Sequence, residues 1–210
     1  MTTRSTAPFA TFLIVGPTCF FLGILFALFP YDYPLLWTSP SQGMADYFTL
    51  QENHLKFLHA SPPLISRILH IVIGTGLLGF MLKLYKPSEA NMLFDGASLV
   101  LYMCGITVYI ANIVKGLRTV TAGAYEGAAA QDGSEKAVSE GEYIGREDSL
   151  KVLAASNTIL ALVLVGVLVL QAGQWYAQRK EAEEIEEMDK ARDDKRKAAK
   201  EGASHGKKKQ

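Results

Sequence analysis

Four apolar stretches, each long enough to cross a bilayer, constrain this chain more than any other feature. They run over residues 10–29, 64–82, 96–114 and 152–177. A hydrocarbon core about 30 Å thick needs roughly 20 mostly apolar residues in a helix that rises about 1.5 Å per residue. None of the four alternates with a period of two, and each is apolar on every side, so none suits a strand or the surface helix of a soluble fold. The expected fold is an all-α membrane protein: four transmembrane helices in a membrane domain over 1–177, followed by a charged tail over 178–210. Average composition hides this, since 49% hydrophobic and 20% charged would pass for an ordinary soluble protein. A net charge of zero gives no footprint for nucleic acid.

The first stretch follows Arg4 and could be mistaken for a signal peptide. A secretory apolar region spans only about 7–15 residues and ends at small residues. This one is longer and exits through Phe29-Pro30-Tyr31-Asp32-Tyr33, so it reads as a retained span. Four spans place both termini on one side, and the count of Lys and Arg selects it. The tail from Gln178 holds eleven, while the 30–63 loop holds only Lys56. Both termini are therefore expected in the cytosol, although the 115–151 loop carries five such cations beside seven acids.

Polar groups at bilayer depth are functional candidates by default. Arg67 lies close enough to the end of its span to snorkel. His70, one turn deeper, is expected to pair with a neighbouring span, because no acidic residue stands deep enough to complete a proton relay. The fourth stretch carries Ser156, Asn157 and Thr158 near one end and Gln171 near the other. Such groups form interhelical hydrogen bonds worth about 0.6–2 kcal/mol, either within this protein or outward to the spans of another; the sequence leaves both open. Gly74-x-Gly76-x-x-Gly79 matches a dinucleotide fingerprint in letters only, since it lies inside an apolar span with no preceding strand. It reads as a packing face. Cys19 and Cys104 fall inside apolar stretches and read as packing residues.

The 30–63 loop opens with Pro30, Tyr31, Asp32 and Tyr33, a candidate lumenal turn expected to break the helix and fold back on the membrane surface. Residues 121–148 are rich in Gly, Ala and acids and are expected to stay mobile. The tail has helix formers throughout and favourable pairs such as Glu186 with Lys190, which suits a solvated helix and a docking surface. Lys207 and Lys208, fourth and third from the end, match a dilysine retrieval address, which a receptor reads rather than a membrane holds; attraction of the basic end to membrane lipid is the other reading.

The segments Phe21-Leu22-Gly23, residues 29–36, Ala155-Ser156-Asn157-Thr158-Ile159-Leu160 and Leu170-Gln171-Ala172-Gly173-Gln174-Trp175-Tyr176 resemble the first and fourth spans of the fungal endoplasmic-reticulum chaperones that package amino-acid permeases. The resemblance covers about residues 9–177. It implies a multi-pass protein of the endoplasmic-reticulum membrane that shields new permease spans from aggregation. It also implies permeases as clients and vesicle-coat components as partners of the tail, while the dilysine match at Lys207 and Lys208 adds a retrieval coat by itself. No cofactor is implied. A small transporter or channel subunit would need a polar path that Cys19, Thr75, Cys104 and Thr107 do not build. An intramembrane enzyme would need a nucleophile with a base, or a metal cluster; His54, His59, His70 and His205 are scattered.

Overall fold

The computed structural model describes residues 6–38, 43–85, 89–123, 125 and 145–207, and every regular element among them is helical. The chain divides into two compact units, Met1–Gln171 and Ala172–Gln210. The helices are α1 (Thr6–Trp37), α2 (Met44–His59), α3 (Pro63–Leu84), α4 (Glu89–Val108), a π-helical segment (Tyr109–Val114), α5 (Lys115–Ala122) and α6 (Arg146–Lys207). Four stretches, Phe9–Trp37, Pro63–Leu84, Met92–Ala122 and Arg146–Lys197, are long and apolar enough to cross a membrane. The all-α fold with four spans is thus as the sequence indicates.

Within Met1–Gln171 the spans pack in the ring order α1, α3, α4, α6. A Cβ on Gly79 would come within 2.9 Å of Ile14 Cγ1 and Leu13 Cβ of α1, and one on Gly76 would overlap the Tyr102 phenol of α4. On the other side of α4, a Cβ on Gly105 would stand 3.2 Å from Leu160 of α6, and one on Gly166 of α6 the same distance from Leu101. The ring closes where Asn157 of α6 meets Asp32 of α1. Two glycines of the rejected nucleotide fingerprint are therefore close-packing points, as expected; Gly74 instead has open space before it. Ile14, Phe21, Leu25, Phe80, Tyr102, Leu160, Leu164 and Val167 form the core of this bundle.

A second core lies at one end. From the contact at Gly79, the start of α3 lies level with about residue 28 of antiparallel α1. The rest of α1 projects past α3 and is lined by α2, which turns back beside it: the Tyr31 and His54 rings stack with centroids 4.0 Å apart. Leu35, Phe48, Leu55, Val120, Tyr125, Leu150, Leu153 and Ala154 fill this cap, contributed by α1, α2, α5 and α6 and by Tyr125 just beyond α5. The turn expected at Pro30, Tyr31, Asp32 and Tyr33 does not exist, since α1 runs through both Pro30 and Pro34. Proline already holds φ at a helical value and forfeits one backbone hydrogen bond; packing of Leu35 against α2 offsets that loss. Chain reversals fall instead at Gly43 (φ 110°) and Gly123 (φ 64°), left-handed positions that favour glycine.

The long loop is likewise partly helical, because residues 115–122 form α5 and residue 146 begins α6. Residues 124 and 126–144 of the segment expected to be mobile lie outside the described residues, as does Lys208. Lys207 is the last residue of α6. Within Ala172–Gln210, helix α6 carries Arg179 with its guanidinium 5.7 Å over the Trp175 ring, and Lys190 paired with Glu186 at 2.8 Å.

Candidate functional site

Polar side chains in the four-span unit gather at its two ends. At the junction of the two cores, the Asp32 carboxylate accepts hydrogen bonds from Gln51 Nε2 (2.7 Å) and Asn157 Nδ2 (2.9 Å). All three side chains are buried, and a buried carboxylate is tolerable only when bonded in this way. Beside them Glu52 takes Lys56 Nζ and Arg146 Nε, each at 2.6 Å, while Arg146 Nη2 donates to Thr49 Oγ1 at 3.3 Å. Burial alone would push the Glu52 carboxyl up, but the bonds from Lys56 and Arg146 outweigh it and hold it below the usual glutamate range. Burial lowers His54, and burial with the nearby Glu52 charge pushes Tyr125 up to about 12. These bonds pin α2 to α1 and α6.

At the opposite end Lys83 and Asp95 form an ion pair of 2.8 Å, with their side chains 7% and 3% exposed. Gln171 completes it, accepting from Lys83 at 2.8 Å and donating to Ser98 Oγ at 3.1 Å and Asp95 Oδ1 at 3.4 Å. One polar cluster thus joins α3, α4 and α6. The sequence reading placed no acid within a span; α4 begins at Glu89, so Asp95 sits inside the helix.

Of the residues expected to contact clients or hold helices together, Ser156, Asn157 and Gln171 are buried and bonded within the protein. Thr158 donates to the Ala154 carbonyl at 3.2 Å. Only His70 faces outward: its Nδ1 is 2.6 Å from the Ser66 carbonyl, and its ring meets the edge of Tyr109 at 6.3 Å. Asp32, expected in a turn, is instead a hub of internal bonding. Gln51, Glu52, Lys83, Asp95 and Arg146 were not singled out by the sequence. Cys19 and Cys104 are exposed on the outer surface rather than packed inside. Much of the rest of that surface is apolar, with Phe12, Phe26, Ile71 and Leu162 each more than half exposed, as a helix bathed in lipid requires. Among the described residues no three His, Cys, Asp or Glu side chains come together as a metal site.

A model of the SHR3 chaperone family, described as ER membrane protein SH3, matches residues 5–210. The chain belongs to the SHR3 chaperone family. It is also similar to the secretory component protein psh3 of Schizosaccharomyces pombe, at 23% identity over 189 residues, covering 87% of this chain and 79% of that protein. No solved structure matches it. Membership makes this a multi-pass protein of the endoplasmic-reticulum membrane with a chaperone role, and implies that the role is non-enzymatic. In this SHR3-family chaperone the inside of the bundle is occupied by its own polar clusters and cores.

Proposed function

We propose that this protein is a membrane chaperone for newly made amino-acid permeases, shielding their spans from aggregation and assisting their packaging into export vesicles. The observation that carries the reading is the family match over residues 5–210, which takes in all four spans. The structure supports it physically. Unpaired polar groups of an unfinished polytopic client cost several kcal/mol each in hydrocarbon, and only helices at the same depth can cover them. The four spans are held together by internal clusters at both ends, which leaves their outer faces available.

Both termini face the cytosol in this proposal, on the strength of the eleven Lys and Arg from Gln178 onward. The cap of α2, α5 and the start of α6 is then lumenal. The charged segment of α6 serves as a docking surface for vesicle-coat components, and Lys207 and Lys208 return the chaperone from later compartments. The test is removal of the protein from cells. Amino-acid permeases should then run as high-mass aggregates in the endoplasmic-reticulum membrane while unrelated polytopic proteins stay monodisperse; aggregation of every polytopic protein alike would rule out the permease-specific reading.

A further inference from the structure

The ring order makes the outer surfaces of α3 and α4 one continuous side of the bundle. These are the least buried of the four spans: 17% of the apolar stretch of each is buried within the protein, against 28% for the first and 39% for the fourth. Its cations also differ from those elsewhere in the unit. Lys56 and Arg146 hold Glu52, Lys83 holds Asp95, and Lys151 lies over the Phe48 ring. Arg67 on α3 and Lys115 and Arg118 on α5 are exposed and, among the described residues, have no carboxylate within 4.0 Å. The contact between His70 and Tyr109 puts Arg67 about level with Asn112, in the turn before Lys115. Asn112 is exposed too, and lies in the π-helical segment Tyr109–Val114; such segments recur at functional sites.

We infer that this side docks a transmembrane helix of the client that carries an aspartate or glutamate at the level of Arg67. The inference rests on the chaperone reading above and assigns it a surface. Charge complementarity selects the occupant: a carboxylate stranded in an unfinished span is costly until paired, and Arg67 supplies the positive charge for it. Deeper along α3 the surface is Ile71, Gly74 and Leu78, all exposed, and the open space at Gly74 admits a second helix at close range. A phospholipid offers a phosphate to the same cations and acyl chains to the same strip, and the crosslinking below separates it from a client helix. When the client's own helices supply a partner for its acid, the contact with Arg67 is replaced and the client departs.

The experiment places a photo-crosslinking residue at Ile71, Val100 or Leu162 of the full-length protein, in membranes that also make an epitope-tagged amino-acid permease. Ile71 and Val100 lie on the α3–α4 side, and Leu162 is equally exposed on α6. Permease adducts are expected from Ile71 and Val100 and several-fold fewer from Leu162. Adding Arg67→Glu should cut the adducts several-fold, whereas Arg67→Lys should keep most of them at an unchanged chaperone level. Equal adducts from Leu162, indifference to Arg67→Glu, or adducts made only with lipid or with a second copy of this chain would overturn the inference. If the wild-type protein keeps the permease monodisperse yet no site on α3 or α4 crosslinks to it, only the assigned side is wrong. If it neither protects nor crosslinks, the permease reading itself fails.

Discussion

Asp32 is bonded to residues 19 and 125 positions away along the chain, and Gln171 to residues 73, 76 and 88 away. The sequence marks Asn157 and Gln171 as polar groups in an apolar stretch and leaves open whether they face inward. Partners at such separations carry no local signal, so the choice could not be read there. Replacing Asn157 with Leu removes one of two donors to a buried carboxylate and should cost about 1–3 kcal/mol. Thermal unfolding of the purified protein in detergent would register that as a lower midpoint, and the cellular level of the chaperone should fall with it. At the other end, Lys83→Met should be more damaging, about 3–5 kcal/mol, because it strands Asp95 as a buried charge. The double replacement with Asp95→Leu should recover most of the loss. If the double variant were no more stable than Lys83→Met alone, the pair would not be the bonded unit described.

Among the elements, the four spans were legible because length and uniform apolarity suffice to find them, without any knowledge of partners. The cap was not. Pro30 and Pro34 argue locally for a break, and α2, with Gln51 and Glu52 buried, falls in a stretch that reads as a loop folded back on the membrane surface until Asp32 and Arg146 are brought to it. Tertiary bonds overrode the local signal. The same bonds make α2 sensitive to acid. Glu52 is held below its usual range, so its contribution is present above the ordinary glutamate pKa and is lost as pH falls through the lowered value. His54 is also lowered, and the folded cap therefore binds fewer protons than the open one, so acid favours opening in both cases. Backbone hydrogen exchange across Met44–His59, corrected for intrinsic rates, should accelerate between pH 7 and pH 5 through His54 and again below the ordinary glutamate pKa through Glu52, and Glu52→Gln should weaken protection already at pH 7. Unchanged protection in the Glu52→Gln variant and at the lower pH would mean that Glu52 does not secure α2.

For the molecule as a whole, the proposed orientation and the proposed division of labour between its parts rest on where charge is placed. The chain has no Asn-x-Ser/Thr acceptor of its own, so engineered glycosylation sites read topology against a clean background. Sites near Gly43 and Gly133 should be modified and one near Ser88 should not; the opposite pattern would invert the orientation. The central claim is that the four-span unit alone protects permease spans. Its most direct measurement is the monodisperse fraction of an amino-acid permease synthesised into endoplasmic-reticulum membranes that contain no chaperone, the full-length chain, or the chain ended after Lys180. The account predicts a high and equal fraction with the full-length and shortened chains and a low fraction without either. A shortened chain that inserts normally but protects no better than empty membranes, or permeases that stay monodisperse with no chaperone present, would contradict it.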